Sequence, residues 1–510
     1  MYMTEKYSSI RNKKYLAKKR FDSSNQSLLI KDEKMTKIKV AIAHGDGIGP
    51  EIMKATLDVL HAATDELEYF PIEVGEKVYL QGELSGISQK AWDVLRDCKV
   101  FLKAPITTPQ GGGYKSLNVT IRVAMGLYAN VRPCLAYAPY IKTKHPGMDV
   151  VIVRENEEDL YAGIEYRPND KTFYAMKVNT EMGCEKIIRY AFEYAKSNNR
   201  KKVSCFAKDN ILKLTDGLFV KTFFKIAKEY PEIAHDTWNV DIGAAKLADV
   251  PSMFEVIVMP NLYGDILSDV AAQIAGSVGL AGSSNIGKNR AMFEAIHGSA
   301  PKRAGQNLAN PSGLLHAAIM MLSHVNKPQI AELISNAWLK TIEDGICTYD
   351  IFEEGKSIQK VGTNEFARAI CDRLGKKPSI LKQAHFGLHG AYNPPKETNK
   401  SKEQKTLVGC DVYVAGEFKV DELYKRLSDT VGKMLTIQFI SNRGATFWPI
   451  RHIETDPSDL WRVRFLSEKA VQQKDIVHLH TMLIEKDFDV TSTVNLYMYD
   501  DRPGFSQIQQ

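Results

Sequence analysis

The 510-residue sequence has no apolar run that approaches the length of a membrane span, which argues against a transmembrane helix. It has no Cys-x-x-Cys pair either. The seven cysteines (98, 134, 184, 205, 347, 371 and 410) are odd in number and scattered singly, so neither a disulfide framework nor a structural zinc site is expected, and a reducing, cytoplasmic compartment is. A basic surface for nucleic acid is also missing from most of the chain. The net charge is +6, but residues 1–34 carry nine Lys/Arg against four Asp/Glu, which leaves the remainder nearly neutral. Nucleic acid is therefore not an expected partner. The residues 1–36 read as a polar, disordered tail that is too rich in lysine, with Glu5 and Asp22, for an organellar transit peptide. Met35 stands just before the first strand, and a start codon placed too far upstream is the expected reason for the tail.

What is present is a long α/β pattern. Strands alternate with helices from about residue 37 to 380, and a chain of this length calls for two or three domains. Lys37–Ala43 reads as a strand, followed by His44-Gly-Asp-Gly-Ile-Gly49 and a helix opened by Pro50 and Glu51. The glycine spacing is GxGxG rather than GxGxxG, and no acid ends a second strand where a dinucleotide fingerprint needs one, so tight-turn glycines account for it without a Rossmann fold. Residues 104–115, rich in Gly and Pro, lead into a helix carrying Ser116, Asn118 and Arg122, which together offer an anion amides, a hydroxyl and a guanidinium. Arg132 follows in Asn-Val-Arg-Pro, and Arg154 ends the strand Val150–Val153. Three arginines after loops or strand ends suit a substrate with several carboxylates, although any one of them is more often a surface ion pair.

Asp265 and Asp269, in Asn261-Leu-Tyr-Gly-Asp-Ile-Leu-Ser-Asp269, stand one helical turn apart just after the strand Phe254–Met259 and Pro260. Two like charges so close suit a divalent cation. A helix N-terminus also welcomes acids, which accounts for Asp265 better than for Asp269. Spacing alone leaves both readings open. Lys208 sits where a strand passes into a helix, a place where an ammonium can be partly desolvated, though an exposed lysine is the commoner case. Asp241 leaves another strand at a helix start. Lys302 and Arg303, in His297-Gly-Ser-Ala-Pro-Lys-Arg303, could clamp a phosphate. Residues 385–405 have a linker's composition. Beyond them, 406–510 read β-α-β-β-β-α-β, a small α+β sandwich with no catalytic motif, for which docking or dimer stabilisation is the expected use.

Taken together, the segments at 129–133, 154–163, 261–269 and 297–302 resemble the β-decarboxylating dehydrogenases, the isocitrate and isopropylmalate dehydrogenase family, over roughly residues 37–380. Lys115–Arg122 resembles the isocitrate branch, and the C-terminal extension resembles that of a longer bacterial subgroup. The resemblance implies a two-domain α/β fold that is not Rossmann, with a large domain at 37–130 and 279–384 and a small dimerisation domain at 131–278. It implies oxidative decarboxylation of isocitrate with NADP, as in the tricarboxylic acid cycle. The alternatives are homoisocitrate, 3-isopropylmalate or NAD as reactants; a binding protein with an inactive core is a more distant one.

In that family pattern Arg122, Arg132 and Arg154 grip carboxylates while Ser116 and Asn118 read the third carboxylate. Mg²⁺ or Mn²⁺ sits on Asp265 and Asp269 with Asp241 of the partner subunit. Lys208, also from the neighbour, takes the hydroxyl proton, and Tyr161 supplies the proton to C3, so the active site needs a homodimer. The cofactor positions are Thr107, His297, Gly298, Ser299, Ala300, Pro301, Lys302, Arg303, Asn310 and Tyr349. Lys302 and Arg303 suit a 2′-phosphate, whereas Glu353, where some bacterial NADP enzymes carry Arg, opposes one.

Overall fold

For most of the first 380 residues strands alternate with helices as predicted; Ala129–Leu135 followed by Asp149–Glu155 and Gly282–Ile286 followed by Ala291–Ala295 are exceptions, with no helix between. The computed structural model describes residues 37–108, 116–387, 403–431, 435–450 and 454–507. The basic tail, the glycines of the loop at 109–115 and most of the linker (388–402) lie outside the described residues. Among the described residues no helix is long and apolar enough to cross a membrane, and no cysteine is in a disulfide.

Ten strands form one sheet in the order Leu67–Pro71, Ile38–Ala43, Val100–Lys103, Ala291–Ala295, Gly282–Ile286, Ala129–Leu135, Asp149–Glu155, Val256–Met259, Lys202–Ala207 and Ala234–Asn239. The first four are mutually parallel, as are the last four. Gly282–Ile286 and Ala129–Leu135 form an antiparallel seam between these blocks. Helices cover both faces, so central strands such as Val100–Lys103, Ala291–Ala295 and Val256–Met259 are buried throughout, as parallel strands between helical layers must be. The seam puts Arg132 and Arg154 on adjacent strands, with Glu294 two strands from Arg132 across Gly282–Ile286.

The segment after the linker forms its own antiparallel sheet, in the order Ala445–Trp448, Thr436–Asn442, Leu460–Leu466, Lys405–Ala415, Asp489–Tyr499 and Arg502–Pro503. The predicted β-α-β-β-β-α-β order is present, with the two-residue strand at the end in addition. The helices Val420–Thr430 and Gln473–Glu485 place Leu423, Leu427, Ile476, Leu479 and Leu483 in a core of its own with Val412, Val463 and Phe465. The opposite face meets the hairpin at 165–175: Asn169 donates to Asp459 at 3.0 Å and Tyr174 lies 3.4 Å from the Ser492 hydroxyl. One ion cluster fixes the strand pairing. Asp411 accepts from Arg464 at 2.7 Å through each oxygen and from Arg462 at 2.8 Å, while the buried Arg464 guanidinium lies against Phe439 and Phe505. Asp411→Ala strands a buried guanidinium and is expected to cost about 3–5 kcal/mol in urea unfolding followed by circular dichroism. A loss below about 1 kcal/mol would mean that the aromatic contacts hold Arg464 without the carboxylate.

Candidate active site

Pro260 stops the strand Val256–Met259 and the helix Asn261–Ala275 begins at once, so Asp265 and Asp269 project one turn apart from its first half. Gly264 has a definite reason to be glycine. A Cβ there would meet Arg154 Cγ at 2.5 Å, so its absence lets the arginine cross the helix. Arg154 is fully buried. Its Nε and Nη2 donate to Asn261 Oδ1 at 3.0 and 2.7 Å, its Nη1 donates to Asp265, and its guanidinium lies 4.9 Å over the Tyr161 ring. Arg132, also buried, donates to Asn130 Oδ1 and Ser268 Oγ at 2.6 Å and approaches both Asp269 and Asp265 at 3.4 Å. The Tyr161 hydroxyl donates to the other oxygen of Asp265.

Arg122 joins the group from the helix Leu117–Ala124 through Glu294, which it meets at 3.0 Å and which Lys103 meets at 2.7 Å. Asn285 donates to the same Glu294 at 2.9 Å and accepts from Asn130 at 2.9 Å, so an unbroken chain of hydrogen bonds runs from Arg122 to Arg132. The three sequence-predicted arginines are therefore brought together. Burial, and then its two arginine neighbours, lower the Arg154 pKa to about 9; burial lowers that of Arg132 as well. Burial works against ionised Asp265, but Arg154 and Arg132 overcome it and hold that carboxyl below its ordinary range. Asp269 goes the other way: partial burial raises it, against Arg132, and Asp265 adds repulsion. Tyr161 is raised by burial and by the hydrogen bond to Asp265, so it keeps its phenolic proton.

Ser116 is exposed at the N-cap of its helix without capping it by its side chain, and Asn118 Oδ1 is buried with no partner. A second group forms elsewhere. Lys208 Nζ donates to Asp241 Oδ2 at 2.8 Å, and that hydrogen bond is the main reason the Asp241 pKa is lowered. The helix expected immediately after Lys208 starts only at Thr215, with turns between. Among the described residues no three His, Cys, Asp or Glu are grouped to hold a metal, so Asp241 does not join Asp265 and Asp269 within one chain.

The cofactor positions converge through backbone packing. A Cβ on Gly45 would meet the Pro105 carbonyl oxygen at 2.1 Å and one on Gly47 the Ser299 carbonyl oxygen at 2.0 Å, and both glycines have positive φ. The GxGxG turn is thus the plate against which the loops at 104–107 and 297–303 are pressed. Asp46 accepts the Thr107 N–H at 2.7 Å, Ile48 N–H donates to Ser299 O at 2.8 Å, and the Thr107 and Ser299 hydroxyls lie 2.7 Å apart. His297 Nε2 is buried without a partner, and burial lowers the His297 pKa.

Gly298 is exposed; Ala300 has φ +40° and turns the chain into Pro301–Arg303. Arg303 stacks 5.0 Å from the Tyr349 ring and donates to its hydroxyl, whereas Lys302 is exposed. The Asn310 side chain is occupied, donating to Asp350 at 3.0 Å and accepting from the Ser312 N–H at 2.9 Å, which leaves its backbone for a ligand. Glu353 is paired with Lys356 at 3.0 Å. Sequence reading missed Asn261, Ser268, Asp46, Glu294 and Lys103. Asn261 and Ser268 stand inside a motif already singled out, but nothing local marks Glu294.

This arrangement defines an α/β protein whose site takes a carboxylate-bearing anion beside a set of nucleotide-type loops. The chain belongs to the isocitrate/isopropylmalate dehydrogenase family, whose description matches residues 39–370, and residues 405–510 match the bacterial isocitrate dehydrogenase C-terminal domain. The protein named isocitrate dehydrogenase [NADP] in Rickettsia bellii is 51% identical over 92% of this chain and 98% of its own. That of Thermus thermophilus is 39% identical over 92% and 95%. A crystal structure of a Thermus thermophilus protein superposes with a TM-score of 0.87 at 38% identity, covering 92% of this chain and 95% of that one. The isocitrate dehydrogenase structure from Methylococcus capsulatus covers 66% of this chain and 99% of its own, with a TM-score of 0.63 at 41% identity.

Gly47→Ala forces a Cβ into the Ser299 carbonyl and displaces the 297–303 loop. The expected result is nucleotide binding weakened about tenfold or more, with substrate KM within about threefold of wild type. Fluorescence titration with the reduced dinucleotide checks it, and unchanged affinity would detach that loop from the cofactor.

Proposed function

We propose that the chain catalyses the oxidative decarboxylation of isocitrate to 2-oxoglutarate and CO₂ with reduction of NADP⁺, the reaction of the tricarboxylic acid cycle. The observation that carries this reading is the convergence of Arg132, Arg154 and Tyr161 on Asp265, with Arg122 joined to Arg132 through Glu294, Asn285 and Asn130. Guanidiniums in a buried, hydrogen-bonded frame bind carboxylates bidentately without losing their protons at neutral pH. The Ser116 hydroxyl and the Asn118 amide N–H are donors that a carboxylate can accept from and an alkyl group cannot, which favours a third carboxylate over an isopropyl group.

The divalent cation fits the residues present. Asp265, kept ionised by two arginines, and Asp269 at the solvent edge are hard oxygen donors, to be completed by Asp241 of the partner subunit. When bound, a Mg²⁺ or Mn²⁺ ion supplies Lewis-acid stabilisation of the negative charge that develops on the substrate oxygens. Lys208, held by Asp241 and partly open to solvent, would take the substrate hydroxyl proton as the free amine once its own proton has passed to water, and NADP⁺, when bound, would supply the hydride acceptor. Tyr161, whose raised pKa keeps it protonated, donates to C3 after CO₂ has left.

Because Lys208 and Asp241 stand apart from Asp265 in one chain, the reading includes a homodimer with shared sites. It is supported by exposed apolar residues beside both groups: Ile266 and Val270 around the aspartates, Leu160 and Ile164 around Tyr161, and Ile242 next to Asp241. The division into a large domain and a dimer-forming small domain at 131–278 belongs to the same reading. For the cofactor, Lys302 and Arg303 suit a 2′-phosphate, and the ion pair with Lys356 balances the charge of Glu353 that opposed it.

The direct test is reduction of NADP⁺ with isocitrate, run beside NAD⁺ and beside isopropylmalate. Activity with isocitrate and NADP⁺ is expected, and turnover of isopropylmalate instead would overturn the substrate. Asn118→Leu is expected to lower kcat/KM for isocitrate about a hundredfold, whereas an unchanged value would remove Asn118 from the third carboxylate. Metal binding carries a pH prediction. The raised Asp269 carboxyl takes up its proton earlier than an ordinary aspartate as pH falls, and a protonated ligand does not bind. Mn²⁺ affinity is therefore present at neutral pH and is lost as pH falls through the raised Asp269 pKa, while Asp265 stays ionised to lower pH. In Asp269→Asn, a Mn²⁺ titration is expected to show weaker binding by about tenfold or more and a flattened pH dependence.

A further inference from the structure

Two fully buried carboxylates, Asp159 and Asp216, face a single cation. Lys177 Nζ lies 3.1 Å from Asp159 and 2.8 Å from Asp216, with the Tyr263 ring 4.6 Å beneath it. Each carboxylate has a second duty. Asp159 Oδ2 accepts the Leu262 N–H at 2.7 Å and so tethers the first turn of the helix that carries Asp265 and Asp269. Asp159 also holds a left-handed backbone, φ +66°, two residues before Tyr161, and its N–H donates to Val178 O at 2.8 Å, which places Lys177 beside it. Asp216 Oδ2 accepts the Lys208 N–H at 2.7 Å and the Tyr263 hydroxyl at 3.2 Å, fixing the turn from which Lys208 reaches Asp241.

We propose that Lys177 is a positioning residue. By bridging Asp159 and Asp216 it holds the Tyr161 turn and the Lys208 turn in one register, so a single ion triad sets both the proton donor and the proton acceptor. Lys177 contacts neither Tyr161 nor Lys208 directly; its effect passes through the two carboxylates. Without the ammonium, the carboxylates repel each other across a buried space and one must protonate or move. Because an unpaired buried carboxylate gives up its hydrogen bonds to backbone N–H groups when it moves, both turns lose their anchors together. The roles of Tyr161 and Lys208 come from the function proposed above. If Lys208 serves the partner's site and Tyr161 its own, the triad also ties the two catalytic centres of the dimer mechanically.

The test compares Lys177→Met with Lys177→Arg in the full chain. Lys177→Met is expected to lose about a hundredfold in kcat with a smaller rise in isocitrate KM, below about tenfold, because Leu262 freed from Asp159 adjoins the Asn261 that holds Arg154 while Ser268, Asn130 and Glu294 keep the other arginines in place. Exchange of the C3 proton of 2-oxoglutarate with D₂O, which reports the Tyr161 step by itself, is expected to fall with it. Lys177→Arg keeps the charge and is expected to recover kcat to within about tenfold. A Lys177→Met protein that melts earlier but keeps kcat and exchange within about threefold would overturn the proposal and leave Lys177 a structural residue.

A second measurement needs no turnover. Modification of Lys208 by an amine-reactive reagent, quantified by peptide mapping, is expected to speed up about fivefold or more when the triad is broken, and an unchanged rate also overturns the proposal. Should Lys177→Met not fold, Asp216→Asn, which keeps an oxygen for the Lys208 N–H but removes the charge, is the deciding variant. Its faster Lys208 modification is expected, and a wild-type rate counts against the triad. Absence of wild-type turnover would fault the assigned reaction, while the modification rate would still decide on Lys177.

Discussion

Positive charge in a place that water cannot reach is the constraint on which the rest of the site depends. Arg132 and Arg154 are buried, Arg122 nearly so, and each lowers the cost of its neighbours' burial only by way of a shared anion. Guanidiniums stay charged under these conditions, so the fold must supply oxygen atoms from every direction. It does so with Asn261 and Asp265 from one helix, Ser268 one turn on, Asn130 from the seam and Glu294 from the strand beyond. Glu294, fully buried, is held well below the usual carboxylate range: burial opposes its charge, and Lys103 and Arg122 more than offset it. Such a network has little freedom to relax, which is the property a site needs to hold a polyanion in one orientation.

The nucleotide-type loops are organised differently. There the ordering force is backbone against backbone: two glycines with positive φ let the turn at 45–47 lie against the carbonyls of Pro105 and Ser299. Side chains then settle onto a framework already fixed, such as Asp46 on the Thr107 N–H and Asn310 between Asp350 and Ser312. Rigid backbone suits recognition of a large, extended cofactor through many weak contacts, and a dense charge cluster suits a small one through a few strong contacts.

Much of this was legible in the sequence where the chemistry is local. Strand Val256–Met259, Pro260 and the following helix are written as a β-branched run, a breaker and an i, i+4 acid pair, and the C-terminal β-α-β-β-β-α-β order follows from hydropathy alternation. The three arginines were visible as strand-end residues, but their convergence was open because each is equally at home in a surface ion pair. What no local pattern conveys is which distant residue completes a charge. Glu294 lies 172 residues from Arg122 in sequence, and Lys177 meets Asp159 and Asp216 from a segment that carried no motif at all. The GxGxG turn was legible as tight-turn glycines, and Gly45 and Gly47 adopt positive φ; what the sequence did not convey is which carbonyls, those of Pro105 and Ser299, the turn lies against.

The charge balance of the cluster bears on the kind of ligand it favours. Around the three guanidiniums and Lys103 stand Glu294, Asp265 and Asp269, so four cations meet three carboxylates and one positive charge is left over. In the proposed function a divalent cation at the aspartates, even with the partner's Asp241 beside it, leaves the ligand space more positive still, which favours a polyanionic ligand. Buried excess charge is costly, so the resting cluster favours whichever ligand brings it nearest to neutrality. In the proposed function that preference acts alongside Ser116 and Asn118, proposed to select by hydrogen bonding. A substrate lacking its third carboxylate is then disfavoured twice, once by unsatisfied polar groups and once by uncompensated charge, so discrimination does not depend on the shape of the pocket alone.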